Sequence, residues 1–222
     1  MLDQVIRDYK EAVFDTDAER ALAVAERALA EGIAAEDIVF KVVIPAIEEM
    51  MAVINQDPDA NLAQHFMTAQ IAATVTERML IHFRQPPASL GRVVIGTAAG
   101  DLHSLGKRIV MGCLKSLMIE VIDLGVNVAP ERFVDAALEH GAQVIAISSM
   151  MIHTARGEKG CIAVREILKA RNLEDHIKLV VGGAPYRFDP ELYRAVGADA
   201  WAEDGITAGR VIQDLIREAT RP

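Results

Sequence analysis

Up to residue 84 the apolar positions recur at helical spacing; beyond it they gather into short runs, each followed by a stretch of helical period. Leu2 to Phe14 reads as one helix. Asp15-Thr16-Asp17 then supplies capping residues for an alanine-rich helix ending near Gly32, and a third helix begins around Glu36-Asp37. Pro45 lacks the amide hydrogen that a continuing helix needs, so the pattern predicts a kink or a restart there, with a separate segment from Ala46 to Ile54. After a turn at Asp57-Pro58-Asp59, a long helix is expected from Ala60 to Phe83. Leu62, Phe66, Ala69 and Ala73 form one of its stripes, and Met67, Ile71 and Val75 form the neighbouring one. These helices predict a four-helix bundle over residues 1–85.

The prolines of Pro86-Pro87-Ala88-Ser89-Leu90-Gly91 resist helix, and residues 86–91 are expected to link the bundle to an α/β domain at 92–222. There, strands are expected at Arg92 to Thr97, Glu120 to Leu124, Val144 to Ser149, Lys178 to Val181 and Ala200 to Glu203. Helices are expected near Leu105, Pro130, Glu158, Pro190 and Ile206. Strict alternation with crossovers of this length predicts a five-stranded parallel sheet of flavodoxin-like, Rossmann-like order 2-1-3-4-5, with its switch point between the first and third strands.

Charge narrows the partners. The net charge of -9 is concentrated at the start: residues 1–85 carry 7 Lys/Arg against 15 Asp/Glu, and the remainder 16 against 17. Such a balance offers no face for neutralising phosphates, so no nucleic-acid partner is expected. No stretch approaches an uninterrupted membrane span, and the N-terminus has no basic region followed by an apolar core, which points to a cytoplasmic protein. The two cysteines, Cys113 and Cys161, form neither a CxxC nor a Cys/His cluster and are expected to be free thiols.

The candidate chemistry lies where strands end. Gly100-Asp101-Leu102-His103-Ser104-Leu105-Gly106 follows the first strand and opens a helix, with a histidine two residues after a carboxylate. A neutral imidazole can ligate a metal through one nitrogen while the other donates to an acid such as Asp101. On Asp-x-His alone, a metal ligand and an ordinary polar loop residue both stand. The same edge of the sheet would also receive Ser148, Ser149 and Met150 after the third strand and Gly182-Gly183 after the fourth.

Taken in order, Asp101-Leu102-His103-Ser104-Leu105-Gly106, then 41 residues, then Ser148-Ser149-Met150, then Gly182-Gly183, resembles the cobalamin-binding signature Asp-x-His-x-x-Gly, Ser-x-Leu, Gly-Gly. The resemblance covers residues 92–205. More loosely, the bundle is similar to the helical cap preceding this module in methionine synthase and in the corrinoid proteins of methanol, methylamine and methoxyarene methyltransferases. The resemblance implies that His103 replaces the cofactor's benzimidazole as axial ligand of the corrin cobalt. Asp101 would accept from its ring, and Ser148 would donate to Asp101 in a relay. The other residues of the signature, Gly100 to Gly106, Ser148 to Met150, Gly182 and Gly183, would line the cofactor, with Gly106 and the glycine pair clearing a path for its nucleotide tail. Glu203 and Asp204 would lie by the tail's base. Met150 stands where leucine is usual. The stretch from Met151 to Val181 is a few residues long for the pattern, with a polar run from His153 to Gly160 expected as a loop.

Two functions lead at this stage, ahead of a mutase subunit and of a flavodoxin-like module that has lost its cofactor. The first is a corrinoid carrier, moving a methyl group on cobalt between a methyl-donor methyltransferase and an acceptor methyltransferase, kept in service by a reductive activator and dimerising through its bundle. It would be the shuttle subunit of a methyltransferase system, with no complete catalytic site of its own. The second is a cobalamin-dependent sensor responding to light or adenosylcobalamin. Ala63-Gln64-His65-Phe66-Met67 resembles the Glu-His element of such sensors, although their tryptophan is absent. In either case His65, Phe66 and Met67, with Met50 and Met51, are the candidates for covering the upper cobalt face.

Overall fold

The computed structural model describes residues 2–47, 49, 62–83 and 89–220. The linker residues up to Ala88, and the segment expected from Met50 through the Asp57-Pro58-Asp59 turn, lie outside them. The chain divides into two compact units, residues 1–88 with Lys115–Met118, and residues 89–114 with 119–222.

In the first unit, α1 (Leu2–Phe14) buries Val5, Tyr9, Ala12 and Val13, the single face expected of helical spacing. Asp17 caps α2 (Ala18–Ala30) by accepting the Arg20 N–H at 2.9 Å. The end of α2 is closed by Gly32 at φ 91°: Gly32 donates to the Leu29 carbonyl and Ile33 to that of Ala28, which satisfies two carbonyls the last turn would leave open. Pro45 distorts the helix without restarting it. α3 (Ala35–Ile38) runs straight into a π-helical turn, Val39–Val43, and residues 44–47 stay helical. Proline in a helix collides with the carbonyl four residues back and leaves it without a donor. Here the backbone widens just before the proline, with Ile44 N–H bonding to the Val39 carbonyl. The last described helix of this unit is α4 (Leu62–Leu80).

The second unit is the expected sheet. β1 (Arg92–Thr97), β2 (Glu120–Asp123), β3 (Val144–Ser148), β4 (Lys178–Gly182) and β5 (Ala200–Ala202) are all parallel in the order β2-β1-β3-β4-β5. β1 and β3 are buried along nearly their whole length, because helices cover both faces. On one face α6 (Pro130–His140) and α8 (Cys161–Ala170) contribute Phe133, Val134, Ala137, Val164 and Leu168 to a core with Ile145, Ile147 and Leu179. On the other, α11 (Gly205–Ala219) packs on β3, β4 and β5. Its Gly205 approaches α5 (Leu105–Ser116) so closely that a β-carbon there would sit 2.8 Å from the Cys113 sulfur.

Two expected helices start elsewhere. The polar run after β3 opens as a short helix, α7 (Ile152–Ala155), and the long helix begins only at Cys161. The stretch around Pro190 separates α9 (Ala184–Phe188) from α10 (Leu192–Ala195). In a parallel sheet all the β-to-α connections emerge at one edge, and at the switch point those following β1 and β3 diverge to opposite faces, which leaves a crevice.

Candidate functional site

The loop joining β1 to α5 carries the chemistry. Its turn is made by Asp101 N–H bonding to the Ala98 carbonyl, and Ser104 ends it by accepting the Arg108 N–H at the start of α5. The Asp101 carboxylate is buried and is enclosed by four donors. Its Oδ1 accepts the His103 backbone N–H at 3.0 Å and the His103 ring Nδ1 at 2.7 Å. Its Oδ2 accepts the Met150 N–H at 2.6 Å and the Thr154 hydroxyl at 3.0 Å. Burial by itself raises the pKa of a carboxylate. These four hydrogen bonds outweigh it and hold Asp101 at about 2, ionised throughout the physiological range. A permanent acceptor on Nδ1 fixes the tautomer and aim of the ring. Nε2 is then the nitrogen left for a ligand, on a side chain that is 59% exposed.

The hydroxyl that reaches Asp101 is therefore that of Thr154, in place of the expected Ser148. A carboxylate offers about four lone-pair sites, and all are taken. Ser148 is the last residue of β3, in register with Thr97 and Gly182, and its carbonyl accepts the Ala98 N–H. The sequence signal for Thr154 was a hydroxyl residue in the polar run after β3. Read as a loop, that run gave no reason to turn Thr154 inward; as the helix α7, it buries Thr154 and Ala155.

The other candidates divide. Leu102, Leu105 and Met150 are exposed apolar side chains flanking His103 in the chain or in its hydrogen-bond network, joined by Met151 and Ile152. Ser149 is buried and gives its N–H to the Gly182 carbonyl. Gly183, at φ 115°, is demanded by the chain itself, since a β-carbon there would lie 2.1 Å from the Ser149 carbonyl oxygen. Gly106 is the opposite case: a β-carbon would meet nothing within 4 Å, so the protein leaves space in front of it unfilled. Asp204 caps α11 by accepting the Thr207 N–H at 2.8 Å, and Glu203 pairs with Arg187 at 3.3 Å. Met67 is exposed on α4, while the side chains of His65 and Phe66 lie outside the described residues.

Among the described residues no group of three His, Cys, Asp or Glu converges to hold a metal ion. One aimed imidazole in an apolar surround suits a metal that brings its remaining ligands with it in a macrocycle. The open space at Gly106 and the exposed apolar side chains around His103 fit such a group. Among the described residues no helix is long and apolar enough to cross a membrane.

Comparison with known proteins bears on the same residues. The B12 binding domain family matches residues 91–209, and a second B12 binding domain family matches residues 5–51. Over 205 residues the chain is 34% identical to trimethylamine corrinoid protein 1 of Methanosarcina acetivorans, covering 90% of this chain and 92% of that one. Over 218 residues it is 31% identical to the dimethylamine corrinoid protein of Methanosarcina barkeri, covering 96% and 98%. In fold it is similar to a chain of the methanol:cobalamin methyltransferase complex MtaBC from Methanosarcina barkeri, with a TM-score of 0.77 and 19% identity, over 97% of this chain and 80% of that one.

Proposed function

The chain belongs to the family of B12-binding corrinoid proteins, and from that premise we propose that it carries a methyl group on the cobalt of a bound corrinoid between partner methyltransferases. The observation that supports this most directly is the 2.7 Å hydrogen bond between Asp101 and His103, which leaves one aimed, exposed imidazole nitrogen among apolar side chains. When bound, the corrin's cobalt supplies the methyl-accepting and methyl-donating chemistry.

The protein's own residues do the rest. His103 would hold the cobalt through Nε2, while Asp101 orients the ring and its negative charge would stabilise the positive charge that ligation draws onto Nδ1–H. Thr154 and the Met150 N–H hold Asp101 in turn. Leu102, Leu105 and Met150 give an apolar seat, and the space before Gly106 accepts the part of the cofactor that reaches the sheet edge. Gly182, Ser148, Ser149 and Glu203 would line the part of that path nearer the sheet.

Its partners in this reading are a methyl-donor methyltransferase, an acceptor methyltransferase and a reductive activator, and the helical unit pairs two copies. The names of the two relatives put methylated amines first among the donors to test. The two buried cysteines, neither in a disulfide, suit a reducing, cytoplasmic compartment.

The test is spectroscopic. Wild type loaded with methylcobalamin is expected to keep a tightly held red corrin with a histidine-on spectrum, and His103→Ala to lose or blue-shift that band. Wild type that retains no corrin, or an unchanged band in His103→Ala, would reject the assignment. The carrier role is tested by offering methyl iodide to the reduced holoprotein, which is expected to take up one methyl group per corrin.

A further inference from the structure

The connection from β2 to α6 runs beside β1 well past the end of the β2 ladder. Leu124 N–H bonds to the Ile95 carbonyl, Thr97 N–H to that of Gly125, and Val128 N–H to that of Thr97. Asp123, at the end of β2, accepts the Gly125 N–H and pairs with the buried Lys107 of α5. Within this connection Asn127 adopts φ 52°, a left-handed conformation that asparagine tolerates better than most side chains. It makes two bonds to the histidine loop. Its side-chain oxygen accepts the Gly100 N–H at 2.7 Å, and its own N–H donates to the Asp101 carbonyl at 3.0 Å.

One residue of a neighbouring connection thus grips the histidine loop on both sides of the Gly100–Asp101 peptide. The four donors to the Asp101 carboxylate act only on its side chain. None of them fixes the peptide from which that side chain projects, and Asn127 does. We propose that Asn127 is a positioning residue for His103: it holds the Asp101 backbone so that the carboxylate, and through it the His103 ring, presents Nε2 in one orientation. This rests on the reading of His103 as cobalt ligand. Its physical content is preorganisation, in which a ligand held in place before loading is not ordered at the expense of binding.

Two substitutions separate side chain from backbone. Asn127→Gly keeps the left-handed backbone and its N–H donor but removes the acceptor for Gly100. Asn127→Asp keeps an acceptor oxygen and tolerates the same backbone. In the cofactor-free protein, Asn127→Gly is expected to speed amide hydrogen exchange at Gly100, with Asn127→Asp close to wild type. Loaded with hydroxocobalamin at neutral pH, Asn127→Gly is expected to shift the histidine-on to histidine-off equilibrium by about fivefold toward off, the size of one neutral hydrogen bond, with Asn127→Asp restoring it. Wild-type histidine-on spectra in Asn127→Gly, where His103→Ala has lost that band, would overturn the proposal and leave the ligand assignment standing. A wild-type band in His103→Ala would overturn both, by a separate result.

Discussion

At the scale of single residues the site is a problem of satisfying one buried carboxylate. Asp101 stays ionised because four donors meet it, and two of these come from backbone amides, which among substitutions only proline removes. The Thr154 hydroxyl can be removed. Thr154→Val keeps the shape and deletes the donor, and it is expected to destabilise the cofactor-free protein by about 1.5–3 kcal/mol, the range for hydrogen bonds to charged groups. Thr154→Ser is expected to recover most of that, which urea titration of the two variants checks. A Thr154→Val variant as stable as wild type, with Thr154→Ser the weaker of the two, would mean that packing of the threonine methyl, and no hydrogen bond, accounts for the residue's contribution. Asp-x-His was legible as a ligand pair from its spacing. Thr154 was not, because a polar residue beyond a strand faces inward only if the following turn coils as α7 does.

At the scale of elements, the two glycine positions of the site owe their identity to different neighbours. Gly183 is fixed by the close approach of the chain ends after β3 and β4, whereas Gly106 lies in the first turn of α5 with open space before it. Alanine favours helix over glycine, so Gly106→Ala is expected to leave the cofactor-free protein as stable or up to about 1 kcal/mol more stable. The same substitution is expected to weaken cobalamin binding by tenfold or more, roughly 1.4 kcal/mol, by filling the space the cofactor enters. Gly183→Ala is expected to lose the fold itself, since nothing flexible can yield at 2.1 Å from a backbone oxygen. Thermal melting of the apo-proteins and cobalamin titration of Gly106→Ala separate the two roles. Sequence reasoning treated both as clearance for the cofactor tail. The distance between β3 and β4 is what tells them apart, and a one-dimensional pattern does not contain it.

At the scale of the whole molecule, four ionisable groups among the described residues are buried in their neutral forms. Burial pushes the Cys113 thiol up to about 12, with the negative charge of Asp204 adding to it, and the Cys161 thiol likewise up to about 12. Burial also raises the Tyr9 and Tyr186 phenols. Raised acids favour the native state only while the unfolded chain's groups are also protonated. The thiols' contribution is full below about pH 9 and is lost as pH climbs from there toward 12. The slope is up to about 1.4 kcal/mol per thiol per pH unit. Between about pH 9 and 10 the thiols dominate, because tyrosines in an unfolded chain ionise near 10. The double variant Cys113→Ala, Cys161→Ala is expected to be less stable near neutrality but to show a flatter fall over that interval in urea unfolding. Parallel curves for wild type and variant would show that the native thiols ionise as freely as unfolded ones.

By itself the sequence determined what depends on local period and spacing. Helices followed by a strand-helix alternation, the order 2-1-3-4-5, and His103 beside Asp101 at the edge of β1 all follow from side-chain pattern and the handedness of crossovers. Tertiary structure decided what depends on the approach of distant segments. Helix passes Pro45 because the backbone can widen into a π turn, which no residue type announces. Thr154 instead of Ser148 meets Asp101, Gly183 is required where Gly106 is only permitted, and Asn127 reaches across from β2 to hold the loop. The physical reason is common to the last three. A hydrogen bond or a steric limit acts over about 3 Å in space, and pattern along a chain specifies faces and periods but not which two atoms come that close.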